Sequence, residues 1–167
     1  TDDEYDDMFK NIKFDTHHLE KTILSNNINI MKYLINIKNV KINDNCIKLF
    51  VENLDDKVNL SVYNFILNNN DVKFNTQHLA SAIKNKKIEL IEFLIDKKKI
   101  KCDESCIIYY YNNFGYYKTK KEIYDLIFEN VDFTQRCLEL SCQHTHLSAI
   151  MDIINQRSFM LNFDLYL

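Results

Sequence analysis

Lys13-Phe14-Asp15-Thr16-His17-His18-Leu19 returns as Lys73-Phe74-Asn75-Thr76-Gln77-His78-Leu79, displaced by 60 residues. A third version, Asp132-Phe133-Thr134-Gln135-Arg136-Cys137-Leu138, stands 59 residues further on. The likeness continues downstream of each start. Ile28-Asn29-Ile30-Met31-Lys32-Tyr33-Leu34-Ile35 aligns with Ile88 to Ile95 and with Leu147 to Ile154. A second kind of unit lies between these copies. Lys41-Ile42-Asn43-Asp44-Asn45-Cys46-Ile47 matches Lys101-Cys102-Asp103-Glu104-Ser105-Cys106-Ile107, again 60 apart. The chain therefore alternates two unit types, beginning near Phe14, Ile42, Phe74, Cys102 and Phe133.

The apolar spacing inside each unit is that of two short helices. In the third unit, Asn75 or Thr76 is placed to cap a helix over 76–84. Leu79, Ala82 and Ile83 then fall on one face. A second helix over about 88–96 turns Leu90, Ile91, Leu94 and Ile95 inward. In the even units Cys46, Ile47 and Phe50, then Tyr63, Ile66 and Leu67, carry the pattern. Their inter-helix links are longer, about Leu54 to Leu60 and Asn112 to Thr119, and the second holds the only glycine, Gly115. One such pair cannot bury its apolar stripe alone, whereas a stack can. The expected fold is all-α: a helical-hairpin solenoid of about five units, 14–41, 42–73, 74–101, 102–132 and 133–160, with 161–167 as a C-terminal cap or continuation. Leu79, Leu94, Ile95 and Ile35 are expected in its core.

Composition removes many function classes. The chain has 167 residues, one glycine and no proline. A phosphate-cradling loop needs several glycines in one turn, so P-loop and dinucleotide fingerprints are excluded. Lys and Arg number 21 against 24 Asp and Glu, a net charge of -3 that does not favour a general nucleic-acid binder. No stretch approaches the apolar length of a membrane helix. The acidic start, Thr1 to Asp7, reads as a frayed terminus and does not resemble a signal peptide. Five cysteines, an odd number, point to reduced thiols and a cytoplasmic setting. The abundance of Lys, Asn and Ile, all served by AT-rich codons, is attributed to genome composition.

Leu79-Ala80-Ser81-Ala82-Ile83-Lys84-Asn85 followed by Ile88-Glu89-Leu90-Ile91-Glu92-Phe93-Leu94-Ile95 resembles an ankyrin repeat. Leu79 matches that family's first-helix leucine, and Ala82 and Ile83 its paired small positions. Leu90, Ile91, Leu94 and Ile95 match its second-helix doublets. The first and fifth units repeat this at Leu19, Ile30, Met31, Leu34 and Ile35, and at Leu138, Ala149, Ile150, Ile153 and Ile154. The glycines that usually follow each helix are replaced, with Lys86 and Lys97 or Lys98 near those places. The Thr-Pro-Leu-His turn is reduced to Thr76 ahead of Leu79. The half-period near 30 is shorter than the usual 33. Gly-poor arrays of this composition resemble proteins of large DNA viruses and AT-rich protists. The resemblance implies a non-enzymatic protein–protein interaction module engaging a host or cellular protein, located in the host cytoplasm if viral. It implies no cofactor.

The candidate binding residues are Lys84, Lys97, Lys98 and Lys99, from a run holding seven lysines and three acids between 84 and 101, and Tyr110, Tyr111, Tyr116 and Tyr117. The lysines offer a positive patch to an acidic protein partner. The tyrosines come from a stretch too rich in aromatics for one short helix to bury, and exposed Tyr suits protein contacts. His18 and His78 share one repeat position, which reads as structural. Cys137, Cys142, His144 and His146 form the nearest approach to a zinc set. However, Cys142 aligns with Ile23 and Ile83, so it is expected as a buried thiol and no metal is expected. Two alternatives stand beside the binding module: a self-associating structural protein, and an enzyme with a groove site, for which no triad or acid pair is evident. A homo-oligomer is compatible with the first. Neither nucleic acid nor membrane is an expected partner.

Overall fold

A computed structural model of the protein describes residues 2–53, 60–114, 121–131 and 134–143, together with the single positions 147, 150, 151 and 154. Among them the chain is mostly helical, and an isolated bridge between Cys102 and Val131 is its one piece of β pairing. The α-helices are α1 (Asp2–Met8), α2 (Thr16–Leu24), α3 (Ile28–Lys32), α4 (Asp44–Asn53), α5 (Leu60–Asn68), α6 (Thr76–Lys84), α7 (Ile88–Glu92), α8 (Glu104–Phe114), α9 (Lys121–Glu129) and α10 (Gln135–Gln143). In the odd units, α3 and α7 continue as π-helical segments, Tyr33–Ile37 and Phe93–Lys97.

The repeated start motif is a capping box. Asn75 Oδ1 accepts the His78 amide at 3.1 Å, and His78 Nδ1 accepts the Asn75 amide at 3.1 Å. Two orphan donors at the head of α6 are thereby satisfied reciprocally. Asp15 and His18 do the same for α2. Thr134 takes the N-cap role in the fifth unit, its Oγ1 3.3 Å from the Cys137 amide. The shared histidine position is thus structural in both units that carry it.

The helix ends explain how a chain with one glycine turns so tightly. Asn26, Asn39, Lys86 and Lys99 all have positive φ, between 55° and 58°. After α6 the Lys87 amide reaches Ala82 O and the Lys86 amide reaches Ile83 O, a Schellman closure. Asn26 and Asn27 close α2 identically onto Ile23 and Thr22. The second helices end on a wider turn, with Val40 bonded to Leu34 O and Ile100 to Leu94 O. Left-handed backbone suits Asn tolerably and Lys poorly. Lys86→Gly and Lys99→Gly should therefore each stabilise the protein by about 0.5–1 kcal/mol, with smaller gains at Asn26 and Asn39. Urea unfolding checks this.

The first helices stack side by side, α2 on α4, α4 on α6, α6 on α8 and α8 on α10, while the second helices meet more sparsely. Polar contacts tie the N-terminal ends of neighbours together. Asn45 bonds Glu20 at 2.6 Å, Thr76 Oγ1 donates to Lys101 O at 3.3 Å, and Thr134 Oγ1 to Glu104 at 2.7 Å. The first helices therefore run in one direction and share an edge. Between the layers runs one continuous core. Leu79, Leu94 and Ile95 are buried, as are Leu90, Ile91 and all six apolar positions read from the even units. Ile35 is only half-buried, against expectation. Tyr33 is fully buried in the same turn, covered by α1 on the outer flank of the first unit.

The acidic N-terminus is likewise corrected. Its residues form α1, which ends 60 residues before the end of α5 and packs Tyr5 and Phe9 on Tyr33. Asp6 accepts from the Tyr33 hydroxyl at 2.7 Å and pairs with Lys38, whose ammonium also lies over the Tyr33 ring. The Lys38 hydrogen bond, followed by that of Tyr33, holds the Asp6 carboxyl below its usual range.

Candidate functional site

The first helices of units two, three and four enclose an open groove of 610 Å³. From α4 come Asp44, Lys48 and Glu52, one turn apart on one face. From α6 come Gln77, Ser81 and Lys84, above a floor of Ala80 and His78. Asp103, Ser105 and Tyr109 of the fourth unit close the far side. Lys84 sits over the Tyr109 ring at 5.9 Å. Among the described residues the side chains of Lys48, Glu52 and Gln77 have no hydrogen-bond or ion-pair partner. A surface with acids, bases and amides held on rigid helices but unengaged among the described residues is suited to polar recognition of another chain.

His78 is buried beneath this groove. Burial pushes its imidazole below the ordinary range, opposed by the carboxylate and backbone of Asp44. The sign of the consequence is fixed. A histidine whose folded pKa lies below its unfolded value of about 6.5 binds its proton first in the unfolded chain. Stability should therefore fall as pH drops through about 6.5 toward the folded pKa, and be unaffected by His78 above that window. Unfolding titrations at several pH values should show this slope, and His78→Gln should flatten it.

The predicted binding residues that the structure describes fall in three different places. Lys84 lines the groove. Lys97 and Lys99 are exposed and Lys98 is half-buried, its ammonium 5.9 Å from the Phe74 ring and 5.5 Å from that of Phe93. These three lie at the opposite edge from Lys84, because the chain reverses between α6 and α7. A nine-residue helix separates the two groups by about 13 Å. The lysine run is contiguous in sequence but divided in space.

Tyr110 and Tyr111 are buried, not exposed contacts. Tyr110 packs on Phe114, Tyr124 and Phe128 at 5.3, 5.8 and 6.2 Å, and Tyr111 meets Phe128 at 6.0 Å. The partner helix α9 supplies the aromatic wall that makes room for them. Tyr116 and Tyr117 lie outside the described residues, as do His144 and His146. Tyr109, half-buried at the groove, was not singled out from its neighbours by sequence. Its place follows from its four-residue spacing to Ser105 on α8.

No group of three or more His, Cys, Asp or Glu among the described residues is arranged to hold a metal ion. Cys137 is fully buried and serves the α10 cap, its Sγ 3.5 Å from Thr134 Oγ1. Cys142 is exposed, correcting the expectation of a buried thiol. Its counterpart Ile83 lies on a helix packed from both sides by α4 and α8, whereas α10 meets α8 alone among the described first helices. The Cys106 thiol is pushed upward by its hydrogen bond to Cys102 and by burial, which makes it a poor nucleophile. No described helix is long and apolar enough to cross a membrane. No protein-family model, curated protein or solved structure matches the chain.

Proposed function

We propose that the protein is an ankyrin-like helical-hairpin solenoid acting as a non-enzymatic protein–protein interaction module, with the groove across α4, α6 and α8 as its binding face. The carrying observation is that groove: three successive units contribute one helix each, and Lys48, Glu52 and Gln77 project from them without a partner among the described residues. The ankyrin-like reading is supported by the capping box. Asn75 and His78, followed by Leu79 and Ala80, stand at the spacing of the Thr and His in the family's Thr-Pro-Leu-His signature. It is supported further by positive φ at the helix ends, where the family usually carries glycine.

The partner in this reading is a cellular protein in the cytoplasm, a host protein if the chain is viral. Ser81→Trp would fill the groove from a half-exposed position without touching the core. Affinity capture should retain a partner with the wild-type protein and lose it with Ser81→Trp, at unchanged helicity. Identical partners on both proteins would contradict the groove.

Self-association is a second reading, favoured by the exposed Leu147 and Met151 at the C-terminal end of the described stack. Solution mass separates the two, since a concentration-dependent dimer abolished by Leu147→Glu would select self-association.

A further inference from the structure

Between each second helix and the next first helix the chain passes through a short link. The four fully described links are 9–15, 38–43, 69–75 and 98–103, and together they hold eight lysines and three aspartates. The whole chain carries 21 basic residues against 24 acids, so positive charge is concentrated in these links even with Lys38 paired to Asp6. AT-rich coding accounts for the number of lysines but not for their position along one edge. Two of the three aspartates, Asp15 and Asp103, are occupied as N-caps, accepting the backbone amides of His18 and Cys106.

One lysine recurs in register. Lys13, Lys41, Lys73 and Lys101 each immediately precede the apolar residue that opens a unit, and all four are exposed. The links lie side by side, because the N-terminal ends of neighbouring first helices are bonded to one another. Thr76 donates directly to the Lys101 carbonyl, joining the link of unit four to the head of unit three. With helices packed about 8–10 Å apart, the four lysines form a row about 25–30 Å long.

We propose that this edge is a docking strip for an extended acidic segment of a partner protein, read by the Lys13, Lys41, Lys73 and Lys101 ladder. An extended chain advances about 3.3 Å per residue, so acids at every third position meet successive lysines at about 10 Å. Charge complementarity selects an anionic partner and steers its approach. A protein segment fits better than single-stranded nucleic acid, which is bound on exposed aromatic platforms beside the charge. The aromatic rings at this edge are withdrawn: Phe74 is buried, and Phe14 and Phe93 pack against the core. The strip is distinct from the groove, and its test does not depend on the groove binding anything.

The test is an NMR titration of the full chain at low ionic strength with a synthetic peptide of about 12 residues repeating Glu-Ser-Ser, long enough to span the row. Its controls are the Gln-Ser-Ser peptide and oligodeoxythymidine. Amide shifts should concentrate in the links around Lys13, Lys41, Lys73 and Lys101. Binding should weaken about tenfold or more in Lys13→Gln/Lys41→Gln/Lys73→Gln/Lys101→Gln, as expected from four lost exposed ion pairs. It should persist in Lys21→Gln/Lys86→Gln/Lys87→Gln, which removes three charges from the opposite edge. Circular dichroism establishes that both variants fold. Any of four results overturns the proposal: no binding, equal loss in both variants, equal binding of the Gln peptide, or tighter binding of oligodeoxythymidine.

Discussion

Leu94→Ala should lower the unfolding free energy by about 2–5 kcal/mol. Leu94 is fully buried in the third unit, which has neighbours on both sides. The surrounding helices are held by their own caps and by adjacent units, so they cannot collapse into the space left behind. Both the lost transfer energy and the cavity therefore count against the folded state. Ile35→Ala, at the equivalent of Ile95 but half-buried in the first unit, should cost less. Urea denaturation of the two variants compares them directly. A change at Leu94 within about 0.5 kcal/mol, the range of ordinary surface substitutions, would mean that the third unit does not pack as described.

Tyr110→Ala should be at least as damaging, at about 3–5 kcal/mol, the usual loss when a buried aromatic is truncated. Tyr110 is 4 % exposed and, among the described residues, touches the rings of Tyr111, Phe114, Tyr124 and Phe128. It is the hub that holds α8 to α9. If Tyr110 served instead as a surface contact, its removal would leave the melting temperature in place and weaken only binding. Thermal unfolding of Tyr110→Ala beside Lys84→Ala separates these outcomes, because Lys84 is exposed and its loss should leave stability nearly unchanged.

Much of the fold was legible because the units repeat. The 60-residue offset aligned weak local signals, so the α6 boundaries, 76–84, and the inward faces of α4, α5, α6 and α7 followed from spacing alone. What was misread depends on contacts between segments distant in the chain. Tyr110 and Tyr111 looked excessive for one helix, since nothing in their own stretch shows that Tyr124 and Phe128 arrive from α9 to enclose them. The lysines from 84 to 101 looked like one patch, but the hairpin sends Lys84 and Lys97 to opposite edges. The acidic start concealed α1 because its charges outweigh Tyr5 and Phe9, the two rings that dock it on Tyr33. Cys142 inherited the expectation of its buried counterpart, although burial at that position comes from a neighbouring unit. The groove was the least legible feature. It is assembled from three units, so no single repeat displays it.

The central claim is that the first-helix face of the stack is where another protein binds. Site-specific photo-crosslinking tests it most directly, with a benzophenone amino acid placed either at Ser81 in the groove or at Glu92, exposed on α7. The predicted result is a discrete covalent adduct with one partner from Ser81 in cells and none from Glu92. Adducts from both positions alike, or from Glu92 alone, would contradict the claim.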